Sequence, residues 1–184
     1  MNVGQDSDFS EDLFQKRYNS DLANDLGNLV SRLLNMGHRF ADGIIPKAEI
    51  EEAEEKVVLD HWNRLKSDIF DLYDTFQFHK ALERIFSFIV ELNRYTEVRA
   101  PWKLAKSEDA KDQLRLAATL ATMSEGLRLA SILLQPVMPQ IAEKILNSLG
   151  QKSVELFGDQ LQWGSGLAGS SYGEKSILFP KKER

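Results

Sequence analysis

The stretch FHKALERIFSFIVELNRYTEVRAPWKLAK, residues 78–106, predicts a long α-helix with a defined end. Its apolar residues recur at intervals of three and four, which is the spacing of one helix face. The predicted buried stripe comprises Phe78, Leu82, Ile85, Ile89 and Leu92, with Ala81, Phe88 and Tyr95 at its edge. Proline lacks a backbone donor and restricts the residue before it, so the helix is expected to end near Ala100. Trp102 would then lie just beyond that end.

The same spacing predicts helices on both sides of this stretch. On the N-terminal side, Ser10 is a candidate N-cap for a short helix to Tyr18, and Asn19 to Asp21 offer a second start. The remaining predicted helices run from there to about Phe40, from Ala48 to about Tyr73, and from Glu108 to Leu134. A last helix follows the break at Pro136 and Pro139 and runs to about Leu149. Only Ile177 to Phe179 suggest an extended segment. We therefore predict an all-α fold, a helical bundle of about five helices with a loop-rich C-terminal tail.

Composition separates the body of the chain from its C-terminal tail. Six of the eleven glycines lie between Gly150 and Gly173, whereas the apolar periodicity stops at Leu149. We predict a leading linker at residues 1–9, a helical bundle at 10–149, and a glycine-rich tail at 150–184 that packs on the bundle.

Composition also excludes several classes of site. The chain has no cysteine, so it can form neither a disulfide nor a thiolate metal site, and its three histidines are scattered. No apolar run approaches the roughly 20 residues that span a bilayer. We expect a soluble, cytoplasmic protein without a membrane partner. The formal charge of −5 argues against binding nucleic acid by phosphate attraction alone, so any RNA contact must be local.

The densest acidic segment of the chain is typical of a surface that faces water. Its members are Glu49, Glu51, Glu52, Glu54 and Glu55. We interpret them as a solvated helix face.

The second predicted helix carries a stripe of polar residues. Asn24, Asn28 and Arg32 are four residues apart, which places amides and a guanidinium along one helix face. Asparagine offers a paired donor and acceptor, and arginine offers a planar fork, so such groups can bind base edges. A wet polar face on an amphipathic helix is the alternative.

Trp102 follows Pro101 at the predicted helix-to-loop corner, among cationic residues. An aromatic ring held there can serve as a stacking platform for an unpaired base. The alternative is that Trp102 fills the end of the bundle core. Trp62 is expected in the core, and the pattern around Trp163 predicts nothing.

Two of these motifs together resemble a known family. They are the segment from Asp21 to Arg32 and, about seventy residues later, Arg94-Tyr95 with Pro101-Trp102 and Ala105-Lys106. Together with Gln135 to Pro139 and the closing segment from Trp163 to Pro180, they resemble the anticodon-binding domain of methionyl-tRNA synthetases.

The resemblance implies a binding site and a partner. The indole of Trp102 would stack on the wobble cytosine of the CAU anticodon of methionine tRNA, while Asn28 and Arg32 approach the bases from a facing helix. Asn24, Glu97 and Pro101 would be near neighbours with smaller roles. The cations Arg32, Arg99, Lys103 and Lys106 would attract phosphates. The implied partners are this tRNA and the parent enzyme's own catalytic domain, not DNA.

The resemblance also implies what this sequence lacks. The family's catalytic domain uses ATP and Mg²⁺, with zinc possible, through a His-Ile-Gly-His-like sequence and a Lys-Met-Ser-Lys-like loop, and neither motif is present in these 184 residues. Residues 4–10 resemble the segment that joins the two domains. We therefore expect this chain to be part of a longer protein. The chain itself is expected to bind no cofactor and not to activate methionine.

Two alternatives remain open from the sequence. One is a helical bundle used only for protein interaction, in which Trp102 would be buried and remote from Asn28 and Arg32. The other is the anticodon domain of a sister class I synthetase, for valine, leucine, isoleucine or cysteine, which would bind a different anticodon.

Overall fold

The computed structural model describes residues 9–151, 159–164, 166–175 and 177–181. Its helices are α1 (Glu11–Arg17), a π-helical segment (Tyr18–Gly27), α2 (Asn28–Phe40), α3 (Ala53–Asp74), α4 (Phe78–Arg99), α5 (Pro101–Leu104), α6 (Ala110–Leu134), α7 (Pro139–Ser148) and a 3₁₀ turn (Asp159–Leu161). Within the described residues there is no β-strand, only one isolated bridge between Ile44 and Ser171. The predicted all-α class is confirmed.

Helix α6 lies at the centre of the bundle. It contacts α2, α3, α4, α5 and α7, and almost every residue from Leu116 to Leu134 is buried. A helix that is buried on all sides needs neighbours to cover each of its faces. Gly126 lets α4 approach closely, since a Cβ added there would lie 2.5 Å from Cδ2 of Leu92. Trp62 of α3 is fully buried against Phe88, as predicted.

The first two predicted helices are one continuous helical rod, which comprises α1, the π-helical segment and α2. Arg17, Tyr18 and Asn28 all have right-handed helical backbone angles, so the predicted second start at Asn19 is wrong. The chain continues as a π-helix, in which the amide of Asn28 donates to the carbonyl of Ala23 five residues before it. Asn93 of α4 supports this segment by donating from Nδ2 to the carbonyl oxygen of Asp25 at 3.1 Å.

Helix α3 begins five residues later than predicted. Glu52 is its N-cap, and Glu52 and Glu55 form a reciprocal capping box in which each side chain accepts from the other's backbone. The buried face of α4 is also wider than the predicted stripe. Phe78 is exposed, whereas Phe88 and Tyr95 are buried, because α4 packs against the π segment and α3 as well as α6.

The described parts of the tail contact the bundle through specific groups. The hydroxyl of Tyr172 lies 2.8 Å from that of Ser124, and Nε2 of His38 lies 2.9 Å from the carbonyl oxygen of Gly173. The ring of Phe179 meets Tyr18 edge-on. Ile177 and Phe179 are not in a strand, so the expected extended segment is wrong. The boundaries of the three predicted parts stay a prediction.

Candidate nucleic-acid interface

The corner that carries Trp102 is made by the backbone of Ala100. This residue ends α4 with φ 45° and ψ 58°, in the left-handed region, which turns the chain sharply. Pro101 then occupies the first position of α5, where its missing N–H costs nothing. The predicted end near Ala100 is confirmed, but Trp102 lies in a short helix and not in a loop.

Trp102 stands at the edge of the core and remains accessible to solvent. It is half-buried and packs on the core with one part of its side chain, while α5 packs on α6. Pro101 is buried, so it shapes the corner and does not offer a contact surface. The position of Trp102 fits neither a free surface residue nor a core residue.

Arg32 of α2 lies directly across from this indole. Its guanidinium carbon is 5.4 Å from the ring centroid, which is within cation–π range. Its Nη2 also pairs with Oε1 of Glu97 at 2.7 Å, and the Glu97 side chain is 59% exposed. The structure therefore brings together Trp102, Arg32 and Glu97 from three helices.

The two asparagines lie on the same rod as Arg32 and are both exposed. Asn28 begins α2, one turn before Arg32, so the predicted stripe holds for this pair. Asn24 lies in the π segment, whose wider turn rotates it away from the direction that α-helical spacing gives; there it lines an open polar groove with Lys16 and Ser20. Within the described residues, neither asparagine amide makes a side-chain hydrogen bond.

The acidic segment is not the solvated face that we predicted. Glu55 is only 5% exposed; it accepts from Nε of Arg99 at 2.8 Å and from the hydroxyl of Tyr95 at 2.5 Å. Glu52 accepts from Nη1 of Arg99 and from Nε of Arg115, both at 2.9 Å. We call Glu52, Glu55, Tyr95, Arg99 and Arg115 the charge cluster. It joins the start of α3, the end of α4 and the start of α6.

Hydrogen bonds set the acidities within this cluster. Those from Arg115 and then Arg99 lower the pKa of Glu52 from 4.5 to about 2. Burial raises the pKa of Glu55, but bonds from Arg99 and Tyr95 outweigh it, and the net shift is downward. Burial, followed by the bond to Glu55, raises the pKa of Tyr95. Both carboxylates are therefore charged across the neutral range.

Acid should selectively remove the contribution of Glu52 to stability. A carboxylate whose pKa is lower in the folded state stabilises the fold fully above its unfolded value, here 4.5. That contribution is lost as the pH falls toward about 2, the folded pKa. We expect Glu52→Gln to lower the melting temperature at pH 7 and the difference from wild type to shrink through this window. Circular dichroism melts at a series of pH values measure it, and a pH-independent difference would contradict the expectation.

The prediction that Arg99 attracts phosphates is wrong. The Arg99 side chain is 6% exposed and its charge is matched by Glu52 and Glu55, so it does not face solvent. Lys103 and Lys106 are exposed, and neither forms a salt bridge with any residue that the structure describes. The local positive charge beside Trp102 comes from Arg32, Lys103 and Lys106.

The described residues hold no group of side chains that could bind a metal ion, and no described helix is long and apolar enough to cross a membrane.

Glu55, Tyr95 and Arg115, which belong to the charge cluster beside the site, were not predicted from the sequence as residues that support it. The spacing of Glu52 and Glu55 was the available signal, since an acceptor followed three residues later by Glu marks a capping box. Their distant partners gave no signal in the sequence.

Comparisons with known proteins identify the family of the chain. A family model described as the anticodon-binding domain of tRNA ligase matches residues 55–163, and a model of class I tRNA synthetases (M) matches residues 1–34. The methionine–tRNA ligases of Fusobacterium nucleatum and Deinococcus radiodurans are each 38% identical to the chain. The alignments cover 99% and 98% of it, but 29% and 26% of those proteins.

A solved structure gives the same result at the level of the fold. The free form of Mycobacterium tuberculosis methionyl-tRNA synthetase superposes with a TM-score of 0.93 at 34% identity, over 100% of this chain and 37% of that one. This chain thus spans about a third or less of the length of these relatives. Because the family model matches more than half of it, the chain belongs to the anticodon-binding domain family of tRNA ligases and is similar to that domain of methionyl-tRNA synthetases.

Proposed function

We propose that this chain binds the CAU anticodon loop of methionine tRNA in the cytoplasm, with the Trp102 indole stacking on the wobble cytosine. The observation that carries the proposal is the half-buried, solvent-accessible indole with the Arg32 guanidinium carbon at 5.4 Å from its centroid. Stacking on such a platform contributes about 1–3 kcal/mol per base. A tryptophan used only for packing would have been buried and remote from the polar stripe.

Arg32 and Asn28 supply the groups that distinguish one base from another. The pair between Arg32 and the largely exposed Glu97 contributes little in water, so the guanidinium can exchange it for a base or a phosphate. The Asn28 amide, one turn away, offers both a donor and an acceptor. Glu97 has a smaller role, since it holds Arg32 beside the indole until RNA binds.

The negative net charge of the chain is compatible with this mode of binding. Anticodon loops are single-stranded, and proteins recognise such loops mainly by stacking and by bonds to base edges. Lys103 and Lys106, which follow the indole in sequence and are exposed, supply local attraction for the loop phosphates. A large basic surface is therefore unnecessary.

We also propose that the chain serves a methionine–tRNA ligase whose catalytic domain binds ATP and Mg²⁺ and joins methionine to the tRNA. The curated relatives carry that name, and the class I (M) model matches residues 1–34. Helix α1 has no buried residue, and its neighbourhood exposes Phe9, Leu13 and Phe14. This apolar face is where we place the contact with the catalytic domain.

Titration with anticodon stem-loops tests the function. The full 184-residue chain is titrated with a CAU stem-loop and with single-base variants at each anticodon position, at one fixed salt concentration. We expect each wrong base to weaken binding by about 1–3 kcal/mol. Equal binding of CAU and a wobble variant would contradict the methionine assignment, and preference for another anticodon would identify a sister synthetase. Absence of any RNA binding would favour a protein-interaction bundle.

A further inference from the structure

The charge cluster lies next to the recognition corner in the chain. Arg99 is the last residue of α4, so Trp102 follows it after only Ala100 and Pro101. Arg99 donates to Glu52 at 2.9 Å and to Glu55 through both Nε and Nη2. One end of the corner is therefore fixed to the start of α3.

The other end of the corner is tied to the same carboxylate. Helix α5, which carries Trp102, packs on α6. Arg115 of α6 donates to Glu52 from Nε at 2.9 Å and from Nη2 at 3.0 Å. Glu52 thus connects α6, on which α5 packs, with Arg99, which precedes α5 in the chain.

Stability alone does not explain why charged residues occupy this position. Removing charges from water is costly, and replacing a buried ion pair with apolar residues of similar size is often neutral or stabilising. A paired guanidinium and carboxylate differ from apolar packing because their two parallel hydrogen bonds fix a direction. What the cluster adds is the orientation of the chain at Ala100.

We propose that Arg99, held by Glu52 and Glu55, is a positioning residue that sets the orientation of Trp102 for stacking on a base. This inference rests on the proposed anticodon-binding function. Arg99 does not contact RNA itself, since its side chain is 6% exposed and faces the carboxylates.

The chain contains a matched control for this idea. Arg128 is also fully buried; it donates to Glu125 on the same helix and to the backbone carbonyls of Gln160 and Gln162 in the tail. Both arginines donate to a glutamate through Nε and Nη2, but Arg99 binds two carboxylates, whereas Arg128 binds one carboxylate and two backbone carbonyls. Arg128→Lys removes the same two-pronged bonding at a site that does not hold the corner.

The experiment compares Arg99→Lys with Arg128→Lys in the full chain. Lysine keeps the charge but cannot reproduce the planar fork. Melting temperatures are measured first, and binding is then measured at a temperature where wild type and both variants are folded. Acrylamide quenching follows the indole, and repeating each variant with Trp102→Phe isolates the signal of Trp102 from that of Trp62 and Trp163.

We expect Arg99→Lys to weaken CAU stem-loop binding about tenfold, part of the stacking contribution, and to change the quenching of Trp102. Arg128→Lys should lose stability but bind like wild type. If both variants bind like wild type, or both weaken equally, Arg99 has only a structural role and the inference is overturned. Glu55→Gln, which also loosens Arg99, must act in the same direction as Arg99→Lys. Failure of wild type to discriminate CAU would instead refute the proposed function.

Discussion

Replacing Trp102 with alanine is expected to weaken binding of the CAU stem-loop by roughly 1–3 kcal/mol, the usual contribution of one stacked base. The reason is that the indole is only half-buried at a corner that α4 and α6 hold in place, so part of it remains accessible to solvent. The measurement is a titration of the 184-residue chain with labelled stem-loop at fixed salt.

Because Trp102 also packs on the core, alanine could act through stability, and two further variants separate the effects. Trp102→Leu keeps apolar packing without an aromatic face, and Trp102→Phe keeps a smaller face. We expect affinity to decrease from wild type to Phe and then to Leu, with Leu close to Ala. A folded Trp102→Leu variant that binds like wild type would show that stacking plays no part.

Replacing Arg32 with alanine is expected to cost about 1–3 kcal/mol of CAU binding, and more for the cognate anticodon than for variants. Arg32 contacts both the indole and Glu97, so its loss removes a group that can bind a base edge and a neighbour that orients the ring. Arg32→Lys should recover only part of the affinity, because lysine retains the charge without the fork.

Arg39 offers the matched control for this prediction. It lies on the same helix, two turns further along; it is more exposed than Arg32 and, like Arg32, lies near an aromatic ring, that of Phe40. If Arg32 acts by specific contact, Arg39→Ala should bind like wild type. Equal losses at the two positions would mean that general electrostatic attraction, and not recognition, explains the effect of Arg32.

These predictions separate the residues that are proposed to touch RNA from those that support them. Arg32 lies against Trp102, and the exposed Asn28 lies one turn before Arg32 on the same helix. Arg99 and Glu55 are buried. Loss of the first group should change affinity directly, whereas loss of the second should change it through the orientation of the corner.

The helices and the corner could be predicted from local sequence patterns. Apolar spacing predicted α4, α6 and α7 to within a few residues, and also the end of α2, because which face of a helix is buried depends on residues only three or four apart. Pro101 predicted the end of α4 for a similarly local reason. The position of Trp102 next to that end, and the four-residue spacing of Asn28 and Arg32, also follow from local geometry.

The contacts of the charged residues, in contrast, depend on how distant parts of the chain pack together. Arg99 looked like a surface cation and Glu55 like part of a wet face, because their pairing joins residues 44 positions apart. The bonds of Arg115 to Glu52 span 63 positions. No local pattern encodes such distant contacts, and a carboxylate has the same sequence signature whether it faces water or a guanidinium. The π-helical turn at Asn24 and the cation–π contact between Arg32 and Trp102 likewise depend on how α4, α5 and the first rod pack together.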